Sequence, residues 1–528
     1  MLMRIGASVI VMAMCVTACS GGGGSSPTPT PTPTTTIAAT ISPESQAATA
    51  TENNSEASFS FEATRTGSAP GAVVADVQYD SKILMLDGLI TQTGNVYKAS
   101  FKSAKGLGGG KFTGKVTFRL CQETACANVY PNTTREFSYT LDVPLDDWVT
   151  QQRNASHNGY VHATLNAASF KKAWEWNAQF TERLSTAATK ADSLFVTRHD
   201  VDGTVAVHAL STADGSARWS YSFGRIHYGA SSPAVSGNQV YVATMVTSSG
   251  NNKIEVIDSA SGRYLRSMEF ASQWSNFSPP TPYGSDVHFA SGYYGGVAYN
   301  FVAETGNLRW TTNGGGYSIW DGMTPAVDDK YVYFYGGETL DVFDRATGAQ
   351  VKRTTNPHFV WGGYSYYGGP ILGANGNLVV YAGSGTGGIQ QWSHPLLSFA
   401  AVQGTVNWKS QDAYVTTPAL ANGVIYVARN GPQRLDALNE TTGAVLWSWN
   451  PPSSLEKFIG NLVATDNMVF ASTDQKLYAI SIGNGAPAIL WEADTPGLIS
   501  VSSDFKLLVA VRGPNLAPTS RLVAYSLR

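Results

Sequence analysis

Residues 435–449 read LDALNETTGAVLWSW, and echoes of this string recur along the second two-thirds of the chain. The glycine of the echoing turn falls at Gly215, Gly262, Gly306, Gly348, Gly404, Gly443 and Gly485, so successive copies lie 47, 44, 42, 56, 39 and 42 residues apart. A period near about 44 residues with only strand-like runs inside it matches one four-stranded blade of a β-propeller. The turn chemistry agrees. Asp, Asn, Ser and Thr bond their own backbone, and Gly takes the positive φ that a branched side chain resists. Leu435, Ala437 and Leu438 read as an inner strand, and Asn439 to Gly443 as the turn. A tryptophan four to six positions after the glycine opens an outer strand, where a large ring can fill the gap between blades. Trp219, Trp310, Trp408, Trp447 and Trp491 hold that place, and Arg266 and Lys352 replace it in two copies, which are expected to pack less well.

The ends of the chain set the blade count. FKKAWEWN (170–177) resembles an outer strand with no inner strands before it, whereas LISVS, KLLVAVR and RLVAYSLR (498–528) supply three strands before the chain stops. Together they complete one blade, and such joining removes the free sheet edges of an open array. Seven repeats plus this composite predict eight blades over 146–528. A seven-bladed ring would require one repeat to be an insertion.

Residues 36–145 alternate in the manner of strands (ASFSFEA, AVVADVQY, VYKASFKS, GKVTFRL, REFSYTLDV) between Gly, Asn, Asp and Pro turns, which predicts an antiparallel sandwich. Before it, residues 1–19 combine Arg4, a short apolar run and small residues ahead of Cys19, an export signal too short to span a bilayer. Val16-Thr17-Ala18-Cys19 resembles the bacterial lipobox, which implies lipidation of Cys19; an ordinary cleaved signal with an incidental cysteine is the alternative. Residues 20–35, SGGGGSSPTPTPTPTT, read as a flexible then extended tether. Ser20, with no Asp after the cysteine, resembles lipoproteins sorted to the outer membrane. Cys121 and Cys126 remain. An export address permits a disulfide between them; C-x4-C also matches half of a zinc site, with no second Cys or His pair nearby. Only 14% of residues are charged and the net charge is −3, without a basic stripe, which argues against nucleic acid as a partner.

The repeat V-Y-V-A…L-x-A-L-N-x-T-T-G-x-x-L-W, with the lead-in DWVTQQRNASHNGY (147–160), resembles the PQQ-like propeller repeat family over about 380 residues. The sandwich, from its run G-K-F-T-G-K-V-T-F-R-L-C-x4-C-x-N-V-Y, resembles the Ig-like modules of secreted bacterial proteins. The fold expected is therefore all-β: an Ig-like β-sandwich followed by an eight-bladed β-propeller closed by joining N- and C-terminal strands. One fold hosts many activities. The family resemblance implies either a quinoprotein dehydrogenase, which binds pyrroloquinoline quinone (PQQ) and calcium, or a non-catalytic BamB-like lipoprotein. The propeller contains no cysteine, whereas many quinoprotein alcohol dehydrogenases carry a cysteine pair against the cofactor, and the chain has no C-x-x-C-H haem site. Calcium needs several converging oxygens; His199-Asp200-Val201-Asp202-Gly203 offers two carboxylates in a turn. No cofactor and no metal is expected, and the chain reads as a binding protein without catalysis.

Loops that precede each inner strand, or join its second and third strands, share one face of a propeller, and the TG turns lie on the other. Six segments rich in aromatics and Gly fall on the first face. They supply the candidate binding residues Tyr228, Trp274, Phe277, Tyr293, Tyr294, Tyr317, Trp320, Asp321, Phe359, Trp361, Tyr364, Tyr366, Tyr367 and Trp392. Tyr and Trp give large contact area at small entropic cost and dominate binding hot spots. The expected partner is a protein of the cell envelope, held by a lipid-anchored scaffold at the bacterial outer membrane, with a role in outer-membrane assembly as one option. A surface glycan stacked on the rings is the alternative occupant. Each ring taken singly could equally be packed between blades.

Overall fold

The computed structural model describes residues 37–50, 57–178, 181–226, 229–246, 252–272, 279–292, 296–313, 324–359, 369–373, 376–382, 393–483, 485–512 and 521–528. Apart from one short 3-10 turn at Ala167–Ser169, the elements assigned within them are strands. From residue 171 onward the strands form eight consecutive sheets. Sheets one to seven begin at Thr181, Ala234, Thr281, Ala326, Ile371, Ala419 and Phe458, and each runs antiparallel from an innermost to an outermost strand. A closing sheet orders Lys171–Asn177, Arg521–Ser526, Lys506–Val511 and Gly497–Val501, so its outermost strand comes from the beginning of the repeat region and the other three from the end. The innermost strands of consecutive sheets lie side by side around a common centre. This is a β-propeller.

What joins one sheet to the next is a clasp built on the repeating turn. In the turn of sheet six, Gly443 N donates to Asn439 O at 2.8 Å and Asn439 Oδ1 accepts from Thr442 N at 3.0 Å. Gly443 takes φ +69, and a Cβ there would stand 2.6 Å from the indole of Trp408, which belongs to sheet five. That indole donates to Glu440 O, three residues before the glycine, at 2.8 Å. The same pair of contacts recurs around the ring. Trp174 lies over Gly215 and donates to Thr212 O, Trp219 over Gly262 to Ser259 O, and Trp310 over Gly348 to Arg345 O.

Two expectations need correction here. Arg266 does not leave a weak seam: its stem lies against Gly306 and its guanidinium donates to Ala303 O, the carbonyl equivalent to those that the indoles use. Lys352 likewise lays its aliphatic stem over Gly404, which keeps the apolar half of the contact. The true exception is the last turn. In sheet six the turn closes from Asn439 N to Ala444 O, but in sheet seven Ser481 N reaches Ala488 O, a longer loop, and Gly485 has open space where a Cβ would point. Trp447 instead packs on Tyr426 within its own sheet, 5.9 Å between centroids. Trp491 of sheet seven meets Phe170 and Tyr525 at the closing sheet, at 5.6 and 4.9 Å.

A register shift accounts for the direction of these side chains. Each outermost strand skips one residue immediately before the clasp position: Ala173, Arg218, Leu265, Arg309, Val351, Asn407, Leu446 and Leu490 are left without a partner in the ladder. Such a bulge bends the strand and re-aims the next side chain, here sideways into the seam.

Residues 37–143 form two further sheets around a shared core that includes Phe59, Phe61, Phe101, Phe118 and Phe137. The pairing is not wholly antiparallel. The first strand breaks at Pro43, which has no N–H to give a ladder; Ala38–Ser42 pairs in one sheet and Ser45–Thr49 crosses to the other, parallel to Arg135–Val143. Cys121 and Cys126 are joined by a disulfide with Cα atoms 5.0 Å apart. The two units touch: Gly109 N donates to His162 O at 2.7 Å, Leu145 N to Ser503 O at 3.0 Å, and Arg528 pairs with Asp142 at 2.7 Å.

The clasp predicts an ordering of stabilities. Gly423→Ala meets φ +77 in open space and is expected to cost about 1 kcal/mol. Gly443→Ala adds the collision with Trp408 and should cost about 1–3 kcal/mol more. Trp408→Ala, which opens a cavity and removes the indole donor to Glu440 O, should cost about 3–5 kcal/mol. Urea midpoints of the three variants check the order, and equal midpoints for the two glycine variants contradict it.

Candidate functional site

Antiparallel order fixes two faces. The hairpins after the first and third strands of each sheet, including the TG turns, lie on one; the second-to-third connections and the links between sheets lie on the other. Thirteen of the fourteen candidate binding residues fall outside the described residues: Tyr228, Trp274, Phe277, Tyr293, Tyr294, Tyr317, Trp320, Asp321, Trp361, Tyr364, Tyr366, Tyr367 and Trp392. Phe359 is described, and it is half-buried against a core built from sheets three, four and five. The root of its loop is pinned by Asn356, whose Nδ2 reaches Tyr335 Oη, Gly337 O and Ala382 O at 3.0, 3.0 and 3.1 Å.

The opposite end of the ring is filled by the lead-in, residues 147–160, which acts as a plug. An innermost strand has no further strand to pair with, so its inward N–H and C=O groups need other partners. The plug supplies them sheet by sheet. Thr189 N donates to Trp148 O, Val235 N to Val149 O, Val327 N to Ala155 O, Leu372 N to Ser156 O, Leu420 N to Asn158 O and Ala464 N to Gly159 O, all between 2.7 and 2.9 Å. Its side chains take the carbonyls at the prolines that open several of these strands. Thr150 Oγ1 donates to Pro280 O at 2.6 Å, Gln152 Nε2 to Pro418 O at 2.8 Å, and His157 Nδ1 bonds Pro370 O at 2.9 Å. Gln152 also receives Asn461 Nδ2 at 2.8 Å, and Asn461 in turn bonds Ile499 N and O, which carries the network to the closing sheet.

To make these contacts the plug folds tightly. Gln152, Arg153 and His157 take φ of +45, +83 and +56, conformations that non-glycine residues hold only when their surroundings over-determine them. Arg153 is held by Asp146 and by Tyr160 O. Gly159 must be glycine for packing as well as for φ +59: a Cβ would stand 2.7 Å from Gln152 Nε2.

A cavity of about 420 Å³ lies beside the plug on the TG-turn face, lined by Asp147, Asn154, Ser156, Lys190, Ser236 and Tyr283 among others. Its charged groups already have protein partners. Burial pushes the Asp147 carboxyl up, and its Oδ1 accepts from Ala191 N at 2.9 Å; Lys190 donates to Gly237 O and Tyr283 to Asp329 at 2.7 Å.

The one local calcium candidate does not form a cage. Asp200 is taken by Arg198 at 2.6 and 3.0 Å, and Asp202 caps its own turn through Thr204 N at 2.9 Å. Among the described residues, the one cluster of three potential metal ligands is Asp76 with Cys121 and Cys126, but the sulfurs are in the disulfide and Asp76 pairs with Arg119.

The plug went unread in the sequence, where DWVTQQRNASHNGY carried only a family resemblance. Its amides, imidazole and hydroxyl find partners that are hundreds of residues away. The available signal was the Pro that precedes small residues at the start of several inner strands (SSPAV, MTPAV, TTPAL), together with a polar segment that had no strand of its own.

Burial holds the His157 imidazole down to about 4, from an ordinary 6.5. Burial likewise lowers His199, His208, His288 and His394. Folded-state values below the unfolded ones mean that stability is fully present above pH 6.5 and is lost as pH falls toward 4, because the unfolded chain binds the protons. His157 alone is expected to contribute about 3 kcal/mol to that loss. His157→Gln, which keeps a donor for Pro370 O, should flatten the pH dependence of the urea midpoint; an unchanged slope contradicts the assignment.

The family comparison agrees with this architecture. The family model described as outer membrane protein assembly factor BamB matches residues 157–282, 245–449 and 380–527, which together cover more than half of the chain. The solved structure of apo AztD from Citrobacter koseri is similar at a TM-score of 0.42 and 10% identity, over 67% of this chain and 92% of that one. No curated protein matches. A ring of repeats, clasped through its TG turns and matched along nearly all of them, makes this chain a member of the PQQ-like repeat family of the outer membrane protein assembly factor BamB.

Proposed function

We propose that the chain is a non-catalytic binding or scaffold protein of the bacterial cell envelope, anchored through a lipid on Cys19 at the outer membrane. In this reading residues 1–19 are the lipoprotein signal, 20–35 the tether, 36–145 an Ig-like sandwich, and 146–528 a closed eight-bladed propeller that uses neither PQQ nor calcium. Seven complete sheets and the composite closing sheet, with six of the seams clasped over a turn glycine, support that blade count.

The observation that carries the proposal is the plug. It occupies the centre from the TG-turn side and engages the inner strands of all seven complete sheets, which leaves the opposite face, with its Tyr, Trp and Gly connections, as the surface for a partner. Membership of the BamB-described family favours a protein partner over a substrate.

Affinity capture from mildly solubilised membranes, with mass spectrometry of the bound proteins and a parallel glycan array, is expected to recover a specific envelope protein. Trp320→Ala with Trp361→Ala should abolish that capture while the urea midpoint stays unchanged. Capture that survives the double substitution contradicts the placement, and a glycan hit without a protein one assigns the face to sugars.

A further inference from the structure

Where the closing sheet meets sheet one, on the face away from the plug, three basic side chains are gathered. The strand Thr181–Leu184 runs antiparallel to Ser193–Asp200, and its register sets Arg183 opposite His199. Arg183 Nη2 stands 3.3 Å from His199 Nδ1. Arg512, which follows the strand Lys506–Val511, arrives from the closing sheet, and its Nη2 donates to Leu184 O at 3.0 Å. Its backbone is fixed there by a hydrogen bond from its N–H to Pro496 O at 2.7 Å.

Arg512 has no carboxylate partner among the described residues. The nearby acid in this strand, Asp200, is engaged by both arms of Arg198. Residues 513–520 read GPNLAPTS and residues 179–180 read QF, without an acid, and Asp494, in the link that receives the Arg512 N–H, is paired with Lys476. Burial and the neighbouring Arg183 push the Arg512 guanidinium down to about 10, and burial with both arginines holds His199 down to about 3. A guanidinium withdrawn from water beside another cation is costly unless an anion joins it. Its planar fork of five donors is suited to bidentate contact with a carboxylate or phosphate, and Leu184 O occupies one of those donors.

We propose that Arg512, with Arg183 and His199 beside it, forms an oxyanion-binding site that takes the carboxylate or phosphate group of a ligand on the loop face. Arg512 supplies the bidentate contact and Arg183 the second charge. The site goes beyond the partner-binding reading, since a small anion would bind there even if the aromatic loops held nothing.

The test is thermal unfolding of the full chain titrated with inorganic phosphate and, separately, with glucuronate, against glucose and against sodium chloride at matched ionic strength. A saturable rise in Tm with either anion and none with glucose or chloride is expected, and which anion acts identifies the source of the charge. Arg512→Gln should weaken that binding at least about tenfold, as should Arg183→Gln, which decides the matter if the first variant does not fold. The Trp320→Ala, Trp361→Ala chain is expected to bind the anion as the parent does, so this site and the aromatic face fail separately. No saturable rise with either anion, or an undiminished rise in the folded arginine variants, overturns the proposal.

Discussion

The contact on which the ring depends is a ring nitrogen or guanidinium donating to a carbonyl three residues before a glycine in the next sheet. Two constraints meet at that glycine. Its φ is positive because the turn closes back on itself, and its missing Cβ is the space in which the neighbouring indole lies. Neither constraint alone would explain why the copies are so alike. Together they make each clasped turn both a part of one sheet and the socket for another, so that a repeat which could not bury its own outer face is completed by its neighbour. Arg266 illustrates the physics: the hydrogen bond and the apolar overlap are what the seam requires, and a guanidinium on an aliphatic stem supplies both.

The clasps hold the rim, and the plug holds the centre. A ring of innermost strands leaves a circle of backbone groups with no sheet beyond them, and leaving such groups buried and unpaired costs on the order of 1–3 kcal/mol each. Residues 147–160 discharge that need with their own backbone and with Thr150, Gln152 and His157. The strain of three positive φ values is tolerated because contacts from several sheets fix each residue at once. The consequence for function is sidedness, with one end of the ring committed to structure and the other carrying the connections that vary most from copy to copy.

Much of this was legible in the sequence because it is local and periodic. The turn from Asn439 to Gly443, the tryptophan after it and the orphan strands at either end could all be read from spacing. Three things could not. The bulge before each clasp residue is a one-step offset in pairing that no composition records. The plug draws its meaning from partners such as Pro418 and Leu462, hundreds of residues away in the chain. The cationic group at Arg183, His199 and Arg512 joins two sheets that are adjacent only because the ring closes. Phe359, the candidate ring whose surroundings are described, packs on a core that spans three sheets, so aromatic content alone does not separate a binding loop from a seam.

Hydrogen–deuterium exchange of the native chain tests the plugged ring most directly. The account predicts that the amides of Val235, Val327, Leu372, Leu420 and Ala464, which donate to the plug, exchange only on global unfolding, together with those of Gly159 and Val161 in the lead-in. Rapid exchange of these amides while the second and third strands of each sheet remain protected would contradict it, and would show that the centre is open.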